Sequence, residues 1–286
     1  MNSLSSPSGL LFIDKEEGIS SRKIDNAMQK MFRTKKVGHL GTLDPFATGL
    51  LIVAVNKATK TLAFLDDGEK TYEARLELGT STTTGDKDGE KNGEKPIPAL
   101  SQESVEAVFS SFLGDGEQIP PMTSAIKVQG QALYVLAHKG QEIERAPRPV
   151  HIDSLRLLEL GDTFLRFEAK VSKGTYIRVL GEDIAKALGT LGYLFSLRRT
   201  KVGYYDVKDA IPLSKVDFQA LKNPLPYLAH LPQVELGEED YRKAKNGVAL
   251  SLPKEEKEVL LTHRGEAVAV YTKKEKDLYV AFRGLF

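Results

Sequence analysis

The chain has 286 residues, of which 41% are hydrophobic, enough to bury the core of one large domain or of a large domain and a small one. The absence of cysteine excludes disulfides, thiolate zinc sites and cysteine nucleophiles, and it suits a reducing compartment, so we expect a cytoplasmic protein. A formal charge of only +1 means that any nucleic-acid contact must use local basic patches instead of a global field.

The first elements of the chain predict buried structure on both sides of a glycine-rich loop. Residues 10–13 are an apolar run of strand length, and Ser20 or Ser21 then offers an N-cap to a helix with one apolar face. Residues 50–55 form a second, continuous apolar run, which indicates a strand covered on both faces. The loop at residues 37–49 is therefore expected to be held between buried elements.

The middle of the chain predicts strands and helices in mixed order. Residues 71–78 alternate strictly between apolar and polar side chains, which is typical of a half-buried strand. Residues 80–95 are polar and glycine-rich and predict a solvated loop, whereas residues 101–113 return to helical spacing. Residues 152–160 and 164–172 flank a glycine–aspartate turn and predict a hairpin.

The last third predicts a helix followed by a small β-rich domain. Residues 178–197 have helical character, which Gly189 and Gly192 interrupt. This order of strands and helices indicates an α+β fold. Beyond a proline-rich stretch at residues 222–232, short strand-like runs occur at residues 259–262, 267–271 and 278–282.

Several kinds of site are not predicted. No GxxxxGK[ST], GxGxxG, HExxH or GxSxG sequence occurs, which argues against phosphate-loop, dinucleotide, zinc-protease and serine-hydrolase sites. The histidines are scattered without ligand spacing, and residues 86–90 fit a solvated acidic loop better than a calcium loop, so we predict no metal. The start lacks the form of a signal peptide, and no apolar run approaches the roughly 20 residues that cross a bilayer. We expect neither secretion nor a membrane span.

The most unusual stretch is GHLGTLDPFATG, residues 38–49, in which glycines surround one carboxylate, Asp44. Glycine permits positive φ and close backbone approach, so such a loop can place a side chain against a ligand. Aspartate followed by proline is also a common way to begin a helix, in which case Asp44 is only a cap. Local chemistry alone favours the cap.

Over its whole length this loop resembles the signature loop of the TruB family of tRNA pseudouridine synthases, including the catalytic aspartate. The resemblance implies an α+β pseudouridine synthase fold, with a mixed, mainly antiparallel central sheet flanked by helices. It also implies a catalytic domain, residues 1–230, and a small β-rich PUA-like RNA-binding domain, residues 233–286. Further matches follow in order along the chain, at residues 14–15, 18–21, 70–72, 78–86, 120–128, 172–178 and 197–200.

The activity implied by the resemblance is the isomerisation of a uridine in the T loop of tRNA, at position 55, to pseudouridine. Enzymes of this family break the C1′–N1 glycosidic bond, rotate the base and rejoin it through C5, and they need no cofactor. Asp44 would be the nucleophile or base, kept ionised by Arg178 within about 4 to 6 Å. The implied partner is the T arm of tRNA. No obligatory protein partner is expected, and the protein is expected to be a monomer.

The base must leave its stack to be reached, so a pocket with aromatic and apolar walls is expected. Tyr72, Tyr176 and Leu197 match the pocket residues of the family. Tyr72 would stack on the base and assist proton removal from C5. His39 would pack beside the base in the RNA loop, and Lys15 would meet phosphates or brace the site. The same two roles are open to three further cations, Lys173, Arg198 and Arg199.

Three other functions compete with this prediction. An RNA-binding or tRNA-folding protein needs no intact site, yet Asp44, Tyr72 and Arg178 are all present. The catalytic subunit of an RNA-guided pseudouridylation complex shares the aspartate loop, and activity on free tRNA without added proteins would exclude it. A nucleoside-bond hydrolase or a sugar hydrolase usually needs two carboxylates that face the scissile bond, and no motif places a second one. Many relatives have proline where this chain has Glu16 and an aromatic residue where it has Thr123, so the resemblance does not define the exact RNA contacts near these two positions.

Overall fold

The computed structural model describes residues 7–124, 126–128, 131–133, 136, 141 and 143–285. Its α-helices are α1 (Ser21–Met31), α2 (Gln102–Ser111), α3 (Ile177–Ala187) and α4 (Glu238–Lys245). The strands are β1 (Gly9–Lys15), β2 (Val37–Leu40), β3 (Thr48–Val55), β4 (Lys70–Leu78), β5 (Thr80–Thr82), β6 (Lys91–Glu94), β7 (Gly114–Gln118), β8 (Lys127–Val128), β9 (Gln131–Ala132), β10 (Arg148–Leu160), β11 (Phe164–Val171), β12 (Gly192–Val202), β13 (Tyr205–Asp206), β14 (Ile211–Pro212), β15 (Gln233–Glu235), β16 (Leu250–Ser251), β17 (Glu258–His263), β18 (Glu266–Glu275) and β19 (Leu278–Gly284). Short 3₁₀ helices occupy Asn56–Lys60, Leu62–Phe64, Val207–Asp209, Leu213–Lys215, Phe218–Ala220 and Leu225–Leu228.

A mixed sheet forms the centre of the larger, N-terminal part. Its strand order is β14-β1-β3-β12-β4-β11-β10-β7, with β2 paired to β3 and β13 paired to β12. The β1/β14 and β3/β12 pairs are parallel, whereas the other pairs are antiparallel. This is the mixed, mainly antiparallel α+β sheet that the resemblance implied.

Helices α1, α2 and α3 pack on one face of this sheet. Met28 of α1, Phe109 of α2 and Ile184 of α3 lie in one buried cluster with Leu51 of β3 and Leu76 of β4. Each helix therefore buries an apolar stripe against the sheet, and this burial is the main force that holds them there.

Most of the predicted elements are present. β1 and β3 cover the two apolar runs, and Ser20 caps α1 by accepting from the Lys23 amide. Along β4, buried positions alternate with half-buried ones over the whole strand, as predicted. Ser101 caps α2, and β10 pairs with β11 as the predicted hairpin. The three C-terminal runs form β17, β18 and β19.

The prediction of a solvated loop at residues 80–95 is wrong in two respects. The segment contains the β5–β6 ribbon, in which Thr80 pairs with Glu94. Asp86, expected in the solvated acidic stretch, is only 6% exposed and lies in the interior of the loop. A high content of charge and glycine therefore concealed a buried carboxylate.

The helical character predicted up to residue 197 is also wrong in its second half. Helix α3 ends at Ala187, and Gly189 with φ of +86° terminates it, because that conformation cannot continue a helix. The chain then enters β12. A β-bulge between Leu194 and Ser196 places the inward-facing leucines three positions apart, which mimics a helical period.

The C-terminal strands form a separate sheet of order β15-β17-β18-β19-β16. On one face of this sheet, Leu260 and Val270 share a buried cluster with Leu10 and Phe12 of β1. The opposite face packs with Ala244 of α4. The C-terminal domain therefore docks on the side of the central sheet that faces away from α1, α2 and α3. Among the described residues, no helix is long and apolar enough to cross a membrane.

Candidate active site

Asp44 lies on the loop between β2 and β3, which contacts from β1 and α1 hold in place. The Lys15 ammonium, at the end of β1, donates to the carbonyl oxygen of Pro45 at 3.0 Å. The Ser21 hydroxyl accepts from the Leu43 amide at 2.9 Å and donates to the Leu43 carbonyl oxygen at 3.0 Å. The residues on either side of Asp44 are therefore anchored.

Gly49 allows β3 to approach β12 closely where the loop ends. Its φ is +100°, and a Cβ atom at this position would overlap the carbonyl oxygen of Arg199. Arg199 is itself buried and donates to the carbonyl oxygens of Leu50 at 2.9 Å and Gly41 at 2.8 Å. Arg199 could either meet a phosphate or brace the site, and these contacts fit a residue that braces the loop.

The Asp44 carboxylate and the Arg178 guanidinium form the ion pair that was predicted, with 3.0 Å between Oδ2 and Nε. Arg178 lies in the first turn of α3, and its side chain is 4% exposed, whereas 35% of the Asp44 side chain is exposed. The Ala47 amide donates to the Asp44 carbonyl oxygen, so the backbone does make a turn here. The carboxylate, however, pairs with Arg178, and Asp44 is more than a cap.

Further acceptors fix the position of Arg178. Its Nη1 donates to the Thr84 carbonyl oxygen at 2.9 Å and to the Thr123 hydroxyl at 2.5 Å, and its Nη2 donates to the Thr123 carbonyl oxygen at 3.0 Å. Nη1 also lies 3.4 Å from Oδ2 of Asp86. Sequence reasoning missed the last contact, and the one signal that could have indicated it was the match of Asp86 to the family pattern.

The surroundings of Asp44 act on its ionisation in opposite directions. Burial raises the pKa of Asp44, the charge of Arg178 opposes it, and the charge of Asp86 raises the pKa again. A hydrogen bond from Arg178 and the charge of Lys15 lower the pKa further. About a third of the side chain faces the cleft, where water also stabilises the carboxylate. The ionised form of Asp44 therefore depends on Arg178.

A cleft of about 360 Å³ opens beside Asp44 and Arg178. Tyr72, Tyr176 and Leu197, the residues expected to wall a base pocket, all line it. The volume falls within the range of roughly 300 to 1,000 Å³ that is common for small-molecule sites. Other lining residues include Ser124, Ile126, Lys70, Lys173 and Arg199.

A larger cavity of about 530 Å³ lies between the N-terminal part and the C-terminal sheet. Its Arg264 forms an ion pair with Glu238, and Nε2 of its His263 lies 3.5 Å from the same carboxylate. The cleft at Asp44, by contrast, combines a partly exposed carboxylate with aromatic walls. We therefore assign the chemistry to the smaller cleft.

Tyr72 lies in the middle of β4 and is 7% exposed. Burial raises the pKa of Tyr72, whereas the charge of Arg199 and a hydrogen bond from it lower the pKa. The phenol is therefore protonated near neutral pH, with a cation beside it.

His39 and Lys15 do not contribute to the described lining of the cleft. His39 Nδ1 lies 2.9 Å from Oδ2 of Asp25, and Nε2 lies 3.1 Å from Oγ1 of Thr42, so both ring nitrogens have partners. Burial lowers the pKa of Lys15 to about 8. Its contacts match bracing, since the buried ammonium donates to three backbone carbonyl oxygens, those of Glu16, Ile19 and Pro45.

The other expected cations differ in their availability. Lys173 lines the cleft with a side chain that is 67% exposed, and it pairs with Asp67 at 2.6 Å. Lys70 pairs with the same carboxylate at 2.9 Å. Arg198 forms a two-pronged pair with Asp14 at 2.9 and 2.8 Å. No group of histidine, aspartate and glutamate side chains that could hold a metal ion occurs in the described part of the chain.

Residues 29–177 match the model of the N-terminal domain of the TruB family of pseudouridylate synthases. The chain belongs to this family. A relative from Hydrogenovibrio crunogenus, named tRNA pseudouridine synthase B, is 45% identical over 88% of this chain and 84% of its own. A relative of the same name from Oenococcus oeni is 37% identical over 93% of this chain and 94% of its own.

The family fold is also seen in solved structures. A chain in the crystal structure of a Cbf5-Nop10-Gar1 complex is similar with a TM-score of 0.73, covering 97% of this chain and 85% of that chain. The identity is 24%, so this likeness shows the fold alone. It confirms the fold class that the sequence predicted.

Proposed function

We propose that this protein isomerises uridine to pseudouridine in the T loop of tRNA, with Asp44 as its catalytic nucleophile or base. The observation that carries this proposal is the ion pair of Asp44 with Arg178 beside a cleft lined by Tyr72, Tyr176 and Leu197. Membership of the pseudouridylate synthase family supports the reaction class, and the name of the relatives, tRNA pseudouridine synthase B, supports the substrate.

The reaction is an isomerisation, so the product contains the same atoms as the substrate, except that the proton lost from C5 is replaced by a proton taken up at N1. The C1′–N1 bond breaks, the uracil rotates, and a C1′–C5 bond forms. The proton on C5 then leaves, and N1 takes up a proton. The Asp44 carboxylate can assist either by adding to uracil C6 or by acting at the ribose, and both routes need it ionised. Arg178 supplies this condition because its guanidinium stabilises the carboxylate.

The target uridine has to leave the T-loop stack to reach Asp44, at a cost of a few kcal/mol. Contacts of the extruded base with Tyr72 and Leu197 would offset this cost, because an aromatic ring and an aliphatic side chain can cover the faces of a flat ring. Tyr176, at the N-terminal end of α3, would support the wall next to Arg178.

Tyr72 has a second proposed role, in proton removal from C5. Burial keeps its phenol neutral, so it cannot accept a proton as it stands. For the phenol to take up the C5 proton, its own proton would pass to water in the open cleft, and the adjacent charge of Arg199 makes this loss of the phenol proton less costly. His39 and Lys15 act in this proposal by holding the loop that carries Asp44.

RNA contacts outside the cleft belong to exposed cations. Lys173 at the rim of the cleft is accessible to a phosphate. The domain at residues 233–286 would bind RNA as a PUA-like domain, while residues 1–230 carry catalysis. The enzyme would act as a cytoplasmic monomer, without a cofactor and without an obligatory protein partner. Light scattering of the purified protein, which measures its molar mass in solution, tests whether it is a monomer.

The decisive test is tritium release from tRNA transcribed with 5-³H-uridine, without added cofactor, metal or protein. We expect release by the wild type and none by Asp44→Asn. The exposed Asp88→Asn variant, which removes a carboxylate outside the cleft, is the matched control and should behave like the wild type. Tritium release by Asp44→Asn at the wild-type rate would overturn the role of Asp44.

The same assay separates the proposal from the RNA-guided alternative. A guide-dependent catalytic subunit would release no tritium from free tRNA until guide RNA and protein partners are added. A non-enzymatic tRNA-binding protein would bind the tRNA with no release under either condition. Release from free tRNA excludes both.

A further inference from the structure

Ser124 has a buried hydroxyl that the mechanism above does not use. The residue is 4% exposed and belongs to the lining of the catalytic cleft. Among the described residues its Oγ has no hydrogen-bond partner, and the accessible surface of this atom is below 1 Å². A buried hydroxyl without a protein partner costs roughly 1 to 3 kcal/mol, and a partner that arrives with the substrate would offset this cost.

The position of Ser124 is tied to Arg178, the partner of Asp44. Arg178 donates from Nη1 to the hydroxyl of Thr123 and from Nη2 to the carbonyl oxygen of Thr123, the residue directly before Ser124. The same guanidinium pairs with Asp44 through Nε. One side chain therefore sets the place of the catalytic carboxylate and of the backbone that carries the unpartnered hydroxyl.

The charged groups around the cleft are already engaged. Arg178 holds Asp44, and Lys70 together with Lys173 holds Asp67. Arg199 donates to backbone carbonyl oxygens. A base that enters the cleft loses water from its polar edge, and that edge needs new partners. The Ser124 hydroxyl can supply such a partner, because no group in the part of the chain that the structure describes competes for it.

We infer that the Ser124 hydroxyl hydrogen-bonds the polar edge of the extruded uracil. A hydroxyl both donates and accepts, and the uracil edge offers two carbonyl oxygens and one N–H, so the two match in either sense. This inference rests on the proposed function, because it requires a uridine in the cleft. Ser124 is then a binding residue for the base, and Thr123 positions it.

The test compares Ser124→Ala with Ser111→Ala, a matched serine substitution on the outside of α2. Each is placed in the Asp44→Asn background, so that the RNA is not converted while binding is measured. The ligands are two T-arm stem-loops, one with uridine and one with an abasic residue at the target position. We expect Ser124→Ala to weaken binding of the uridine RNA about threefold to tenfold and to leave binding of the abasic RNA unchanged.

Two further readouts separate binding from folding. Removal of an unpartnered buried hydroxyl should leave the melting temperature of the free protein at or above that of the wild type. An equal loss of affinity for both RNAs, or a lower melting temperature together with that loss, would overturn the inference because the effect would then be structural. Unchanged binding of the uridine RNA would overturn it as well. Tritium release by the protein with Asp44 intact reports separately on the proposed function, so that a failure of either proposal is recognised.

Discussion

Asp44 and Asp86 share one arginine, since Arg178 places Nε 3.0 Å from Oδ2 of Asp44 and Nη1 3.4 Å from Oδ2 of Asp86. The two neighbours act on Asp44 with opposite sign. The guanidinium lowers the pKa of Asp44 against the effect of burial, whereas the second carboxylate raises it. The arrangement positions Arg178 and leaves the Asp44 carboxyl group less acidic than it would be beside Arg178 alone.

The first prediction is that substitutions at Arg178 and Asp86 move the pH dependence of catalysis in opposite directions. The proposed function requires ionised Asp44, so activity should increase as the pH rises through the pKa of this carboxyl group. Arg178→Gln removes the charge that lowers this pKa and should shift the acidic limb to higher pH. Asp86→Asn removes a charge that raises the pKa and should shift the limb to lower pH. Profiles of kcat/KM against pH measure both shifts.

The two variants should also lose activity at their optimal pH. With Asp86→Asn, Arg178 loses one anchor and keeps those to Thr84 and Thr123, so we expect a decrease of about ten- to a hundredfold from imperfect positioning. Asp88→Asn, two positions along the same loop and exposed, provides the control and should keep the wild-type profile. If Arg178→Gln and Asp86→Asn shift the acidic limb of the pH profile in the same direction, this account is contradicted.

The second prediction concerns Gly49. An alanine there combines a φ of +100° with an overlap between its Cβ and the carbonyl oxygen of Arg199, so β3 and β12 must move apart. We expect Gly49→Ala to lower the free energy of unfolding by about 3 kcal/mol or more, measured by urea denaturation. At Gly116 of β7 a Cβ would meet no atom within 4 Å. Gly116→Ala should therefore be close to neutral, and equal effects of the two substitutions would argue against the close approach.

The third prediction follows from the buried ammonium of Lys15. Its pKa is lowered from 10.5 to about 8, so the folded state binds this proton less tightly than the unfolded state does. The cost of burying the charge is present in full below pH 8 and is relieved as the pH rises towards 10.5. Between these values, the wild type should gain up to about 3 kcal/mol in unfolding free energy relative to Lys15→Met.

Urea denaturation of both proteins at several pH values measures this difference. Lys30→Met removes an exposed lysine from α1 and should show no comparable trend relative to the wild type. If the unfolding free energy of the wild type minus that of Lys15→Met stays constant or falls as the pH rises, burial does not lower the pKa of Lys15.

The elements that define the site could be predicted from the sequence where local pattern and tertiary burial agree. In β4, strict alternation placed Tyr72 on the buried face, and that face became a wall of the cleft. In the Asp44 loop, the glycines at 41 and 49 have positive φ, the property for which glycine was singled out. The pairing of Asp44 with Arg178 came from the family resemblance, because no local pattern connects residues so distant in sequence.

The elements that were missed are those in which tertiary contacts override local composition. Asp86 belongs to a charged, glycine-rich segment, and its burial is explained by its contact with Arg178 and by hydrogen bonds to its carboxylate from the Thr84 hydroxyl and the Asp88 amide. Helix α4 was not predicted, although acids at its start and bases at its end fit the helix dipole, because few apolar residues mark its face. Thr123 and Ser124 owe their roles to Arg178 and to the cleft, which the sequence alone does not bring together.

The fourth prediction concerns the C-terminal domain. Deletion from Glu235 onward would remove Leu260 and Val270, which cover Leu10 and Phe12 of the central sheet. We therefore expect a lower melting temperature together with weaker tRNA binding. A deletion alone cannot separate these effects, so RNA binding is better tested by point substitutions on the surface of this domain.

Lys274 and Lys276 suit that purpose, because both are exposed near the turn between β18 and β19, and neither has an acidic partner within 4.0 Å among the described residues. The double variant Lys274→Glu/Lys276→Glu should weaken tRNA binding. The slope of the logarithm of the binding constant against the logarithm of the salt concentration should become shallower by about one unit for each phosphate contact that is lost. Turnover at saturating tRNA should not change.

The exposed Glu275, between the two lysines, supplies a control of opposite sign, because Glu275→Lys should tighten binding. If neither variant changes affinity, the RNA does not reach this turn, and the electrostatic contacts must come from the rim of the cleft at Lys173.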